Sequence, residues 1–239
     1  MKFTAYIKSI LSGLYLSLKR FPLTIMFSVS VFLTLIVISE ANPKENTLAR
    51  VAMILALGIP ISLCIKLFFE KINKKSIFKL LSAQLCGILF LIVYYFLFLN
   101  TMDMVSITRY AAVSTTLYLA FLFIPYFLKK EQFEMYVITI FTGFFITIIY
   151  SIVLYLGLSA ILFTIDKLLG IKILGKIYYY TWLFVVFIFS LLYFLSGIPI
   201  SHEEISIKFY PKLLRILLLY IVMPLLTAYT IILYIFLRK

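Results

Sequence analysis

The chain is poor in the residues that most enzymes need. It has one histidine, two cysteines and nine acidic residues in 239, and only 13% of its residues are charged. A single imidazole excludes the His-Glu-x-x-His zinc pattern, and the sequence contains no Walker loop, dinucleotide-type glycine pattern or paired-cysteine metal site. Nor does any Asp, Glu, His, Lys or Arg lie deep inside the long apolar runs. That absence disfavours proton relays, ion-coupled carriers and voltage sensors, which place such groups in the bilayer despite their cost. No cofactor and no metal is therefore expected, and catalysis is not expected either.

What is present is hydrocarbon. Hydrophobic residues make up 64% of the chain, and the mean hydropathy is +1.15, beyond what a water-soluble domain can bury. Uncharged windows run over 21–39, 51–65, 80–102, 110–128, 135–165, 177–201 and 216–237. A crossing needs about 20 mostly apolar residues. Six windows reach that length or nearly so, and the short second one is extended to about Phe69 if Lys66 turns its ammonium toward the headgroups. The predicted fold is all-α: a polytopic membrane helix bundle with spans at about 21–40, 50–69, 79–101, 110–128, 135–163, 177–197 and 213–237. Helices follow because an open strand leaves its backbone unpaired in lipid, and the alternation of a barrel is missing.

Residues 1–20 read as a separate element. Phe3, Ile7, Ile10, Leu11, Leu14 and Leu18 recur at helical spacing with Lys8, Ser12 and Lys19 between them, the pattern of an amphipathic helix lying in the headgroup layer, with a partly ordered cytoplasmic tail as the alternative. The transmembrane domain then occupies 21–239. With the N-terminus inside, fourteen lysines and arginines fall on inner segments and eight on outer ones, so seven crossings put the C-terminus outside. The net charge of +13 is read as topology and as attraction to anionic lipid headgroups at the inner loops. The scattered charges make no continuous basic face, so nucleic acid is not an expected partner. Between the fifth and sixth spans, Leu168, Leu169, Ile173 and Leu174 predict a short helix on the outer leaflet. Tyr178, Tyr179, Tyr180 and Trp182 beside Lys176 predict an outer aromatic belt. Cys64 and Cys86 are expected to be reduced, small packing residues.

Two groups of residues stand out as candidates. His202, Glu203 and Glu204 follow Ser201 in the loop after the sixth span. The spacing fits a capping box for the amphipathic piece that follows, with docking of a partner or regulation as the functional alternative. Thr139, Gly143, Thr147, Ser151, Tyr155 and Ser159 form a small or hydroxylated ridge along the fifth span, expected as an interhelical packing seam, with a substrate or water path as the alternative. Gly58 with Pro60, and Pro224, are read as packing kinks.

The stretches "LKRFPLTIMFSVSVFLTLIVI", "SGIPISHEEI" and "YPKLLRILLLYIVMPLLTAYTIILYIFLRK", with Phe21, Pro22, Pro211, Lys212 and Pro224 as fixed points, resemble the bacterial multi-pass membrane family known as domain of unknown function 4153. The resemblance implies a cytoplasmic-membrane protein and assigns no activity or catalytic residue. It also implies relatives that continue past the equivalent of Leu237, where this chain stops on Arg238 and Lys239, so a short or truncated member is expected. Together these readings favour a non-catalytic scaffold, sensor or assembly subunit, with a protein partner or a second copy of the chain. A carrier or channel for a neutral or lipophilic molecule is the alternative, and a membrane enzyme using the inner loops is the third reading.

Overall fold

A computed structural model describes residues 17–41, 47–71, 77–99, 103–124, 133–169 and 174–199, with six further helical positions between Leu226 and Tyr234. Among these residues there is no strand. The helices are α1 (Pro22–Ala41), α2 (Thr47–Lys71), α3 (Ile77–Phe98), α4 (Met104–Phe123) and α5 (Phe133–Leu169). A sixth rod follows, comprising α6 (Gly175–Phe184), a π-helical segment (Val185–Ser190) and α7 (Leu191–Ser196). Six rods are long and apolar enough to cross a membrane. The molecule is an all-α, polytopic membrane helix bundle. The interfacial helix over 1–20 and the seventh span lie largely outside the described residues.

Boundaries follow local chemistry. Pro22 occupies the first position of α1, where a missing N–H costs nothing because the first turn has no intrahelical acceptor for it. α2 runs unbroken through Gly58 and Pro60, and it extends past Lys66 to Lys71, slightly beyond the length the snorkelling argument gives. α4 begins at Met104, with Arg109 inside its second turn, because one charge near a helix end does not stop backbone hydrogen bonding. For the same reason α5 continues through Asp166 and Lys167 to Leu169. At 1.5 Å per residue its 37 residues make about 55 Å, well beyond the ~30 Å hydrocarbon layer. The outer-leaflet helix predicted next is therefore not separate where it is described: Leu168 extends α5, and Leu174 is the extended residue that precedes α6.

Packing centres on two rods. Half of the apolar window of α2 is buried, against 17% or less in the other five. α1, α3 and α4 all pack on α2, and α1 also packs against α6, the π segment and α7, which in turn carry α5. Phe21, Leu63, Leu67, Phe121, Tyr136, Ile140, Leu195 and Ile198 form one core cluster. These residues come from the starts of α1 and α5 and the ends of α2, α4 and α7, so those five termini meet at one end of the bundle. Leu57, Ile61, Leu91, Tyr94 and Leu99 form a second cluster between α2 and α3. Consecutive helices thus alternate in direction. Gly58 explains the tight α1–α2 approach: a Cβ there would lie 2.5 Å from the Phe27 ring. Small residues permit such contact between membrane helices, where packing rather than the hydrophobic effect drives association. Gly87 does the same between α3 and α2, since a Cβ at that position would lie 2.8 Å from the Ile65 side chain.

Candidate functional site

Among the described residues, three of the six buried polar residues, Ser17, Thr24 and Ser28, lie on or just before α1. Ser17, Phe21, Thr24, Ser28 and Val31 are each 5% exposed or less, and their spacing of four, three, four and three residues keeps them on one seam. Thr24 and Ser62 share a hydrogen bond of 2.9 Å between α1 and α2, and Ser62 Oγ also donates to the Ile59 carbonyl at 3.0 Å. The Ser28 hydroxyl donates to the Phe187 carbonyl in the π segment. One helix thereby joins the two halves of the bundle through hydroxyls.

Arg20 closes the seam at its lower-numbered end. Its Nε donates to both Glu70 carboxylate oxygens at 3.2 and 3.1 Å, and its NH2 group donates to Oε2 at 2.8 Å. The remaining bonds go to the Ile198 carbonyl at 2.9 Å and the Pro199 carbonyl at 3.2 Å. These carbonyls belong to the end of the sixth rod, where main-chain acceptors lack helical partners. The planar fork of a guanidinium suits this simultaneous service in a way that an ammonium does not. Glu70 sits in the last turn of α2, where the helix dipole disfavours a carboxylate. Arg20, with the Lys66 ammonium 3.6 Å away, offsets that. The Arg20 guanidinium also lies 4.8 Å from the centre of the Phe21 ring, within cation–π range.

At the opposite end, Glu40 closes α1 onto the start of α6. It accepts from the Tyr180 hydroxyl and from Lys176 Nζ, the latter at 3.2 Å. Tyr179 stacks on Trp182, with ring centres 6.3 Å apart, so the aromatic group at this end is tied to a carboxylate as well as to its neighbours. α4 is fastened to α2 by the Tyr110 hydroxyl on the Met53 carbonyl at 3.1 Å and by the Cys64 thiol on the Leu117 carbonyl at 3.5 Å. Cys64 and Cys86 are both free thiols, and Cys86 is exposed rather than packed.

The fifth-helix ridge uses its hydroxyls locally. Thr139 donates to the Met135 carbonyl and Thr147 to the Gly143 carbonyl, both at 2.7 Å and both one turn back on the same helix. Thr147 is buried, yet its bond crosses to no neighbour. A Cβ added at Gly143 would meet nothing within 4 Å. Ser151 and Ser159 have covered hydroxyl oxygens without a hydrogen-bond partner, and Tyr155 is half-buried. His202, Glu203 and Glu204 lie outside the described residues; the chain leading to them passes Pro199, whose carbonyl Arg20 holds.

The residues that tie the bundle together are not the ones that stand out in the sequence. Arg20 counts there only as a topological charge, Glu70 is overlooked, and Thr24, Ser28 and Ser62 vanish into apolar windows. The signal that could have found Thr24 and Ser28 is the heptad-like register of Ser17, Phe21, Thr24, Ser28 and Val31. Among the described residues, no group of three His, Cys, Asp or Glu could hold a metal ion. A pocket between α1, α2 and α3, lined in part by Phe27, Ser62, Gln84 and Gly87, has a volume of about 10 Å³, room for about one water.

Comparison with curated proteins and with solved structures gives no match. The family model described as "Domain of unknown function (DUF4153)" matches residues 23–239, which include nearly all of α1 and every helix after it, and the chain therefore belongs to that family.

Proposed function

We propose that this integral membrane protein is a non-catalytic scaffold, sensor or assembly subunit of the bacterial cytoplasmic membrane. The observation that carries the reading is the use of the interior polar groups: Arg20, Thr24 and Ser28 each bind another helix of the same bundle. Polar groups consumed in helix joining hold a shape, and a held shape is what an assembly subunit contributes. In this reading the Arg20 end faces the cytoplasm, residues 1–20 lie on the inner leaflet, and a seventh crossing over about 213–237 puts the C-terminus outside. Basic residues of the inner segments attract anionic headgroups. The test is purification in a mild detergent with mass determination of the particle. A stoichiometric partner or a defined oligomer is expected; a monodisperse, partner-free monomer overturns the reading.

A second reading, a carrier or channel for a neutral or lipophilic molecule, is favoured by Ser151 and Ser159, whose hydroxyl oxygens are covered but unpaired. Such atoms keep hydrogen-bonding capacity that the bundle itself does not use. Flux of neutral solutes or lipids in proteoliposomes, lost on replacing both serines by alanine, distinguishes this reading from the first.

A further inference from the structure

The π segment sits in the middle of the sixth rod, and the rod is attached to α1 on both sides of it. Before the segment, Lys176 and Tyr180 hold Glu40; after it, the Ile198 and Pro199 carbonyls hold Arg20. Within it, the Phe187 carbonyl accepts from Ser28, which is 1% exposed. A single π turn is an α-helix with one residue inserted, and such turns are rare and concentrate at functional places. Neither proline nor glycine occurs in Val185–Ser190, so nothing in the local sequence demands the distortion. The inserted residue sets the angle at which α7 meets its neighbours. In the described register, Tyr193 packs edge-on to Tyr150, with ring centres 5.1 Å apart, Phe194 packs on Phe144 at 6.5 Å, and Leu195 is buried in the core.

We propose that the π segment is a two-register joint, held in the described register by the Ser28 hydroxyl. If the segment winds into plain α-helix, every residue after it turns by about 100° and advances about 1.5 Å. Leu192 then takes the place of Tyr193 against α5, and the Arg20 carbonyl clamp is released. α6, upstream, keeps its attachment to Glu40. The joint thus couples the face presented to α5 to the clamp at the Arg20 end.

The test is cysteine cross-linking in membranes, in a chain carrying Cys64→Ala and Cys86→Ala, with a short, membrane-permeant bismethanethiosulfonate. Tyr150→Cys/Tyr193→Cys reports the described register, Tyr150→Cys/Leu192→Cys the alternative one, and Glu40→Cys/Lys176→Cys the fixed upstream part. The second pair is expected to link at about a tenth of the rate of the first or less, as suits a minor state. Ser28→Ala should raise the second rate about threefold, the size of one hydroxyl bond between membrane helices. Deleting Val186 removes the inserted residue: the first and third pairs should still link and the second should not. The joint is overturned if the second pair links no faster in the parent chain than in the deletion chain, or if the deletion loses the first pair while keeping the third. Should the deletion chain lose the third pair as well, and so not fold, the Ser28→Ala rate decides alone, an unchanged rate overturning the proposal.

Discussion

In α1, Thr24 bonds across to Ser62 and Ser28 across to Phe187, whereas in α5, Thr139 and Thr147 turn back onto Met135 and Gly143 of their own helix. The glycines divide in the same way. Gly58 is pressed by the Phe27 ring, while the space beside Gly143 is open. Residue types alone would rank the two stretches equally, and the repeating ridge of α5 looks the more deliberate of the two. The difference comes from position. α1 lies between α2 and the sixth rod, so a hydroxyl on its seam faces foreign acceptors; α5 touches mainly one neighbour, and a threonine satisfied by its own preceding turn can face lipid or protein at similar cost.

The largest effect that sharpens this contrast belongs to Arg20. Replacing it with alanine leaves the Glu70 carboxylate, three-quarters buried, without its main partner and frees two terminal carbonyls. Breaking such a pair costs about 3 kcal/mol, so thermal unfolding in detergent should show a large fall in midpoint. The exchange Arg20→Glu with Glu70→Arg should recover only part of it, because the carbonyl bonds need the guanidinium at position 20. An equal loss from Arg109→Ala, at the exposed start of α4, would remove the distinction between seam and periphery.

A smaller effect separates the glycines. Gly58→Ala drives a methyl into Phe27 and should destabilise by about 1–3 kcal/mol as overpacking does, with Phe27→Leu relieving part of the strain in the same chain. Gly143→Ala should be neutral or stabilising by up to about 1 kcal/mol, the helix-propensity difference. Chemical denaturation in mixed micelles reads both, and equal responses would contradict the packing described.

The smallest effect concerns hydroxyls. Thr24→Val and Ser28→Ala should each lower stability by about 0.6 kcal/mol, the usual size of an interhelical bond in a membrane. Thr139→Val should change nothing measurable. Paired steric-trap or denaturant measurements resolve the difference when the two α1 substitutions are combined.

Much of the architecture is legible in the sequence because charge is expensive in hydrocarbon. Each described rod overlaps a charge-free window, and the ends differ where a charge such as Arg50, Lys66, Lys79, Arg109 or Asp166 is taken as a stop although a helix can carry a charge through the headgroup layer. The joining residues are harder to read. A window count treats Thr24 and Ser28 as harmless, although their register with Phe21 and Val31 is visible once a buried seam is sought. Glu70 is hidden because orientation arguments weigh only lysine and arginine, and its partner lies fifty positions away. The π segment leaves no trace in Val185–Ser190, which contains neither proline nor glycine.

The polar seam of α1 is sealed between helices, with Thr24 and Ser28 each 1% exposed. Single cysteines at positions 24, 28, 139 and 151, each in a chain freed of Cys64 and Cys86, can be exposed in right-side-out and in inside-out membrane vesicles to a charged, membrane-impermeant methanethiosulfonate and then to a lipid-soluble maleimide. Positions 24 and 28 should resist the charged reagent from either side of the membrane. Rapid modification of either by that reagent would mean that water reaches the seam, and the helix-joining role assigned to Thr24 and Ser28 would be wrong.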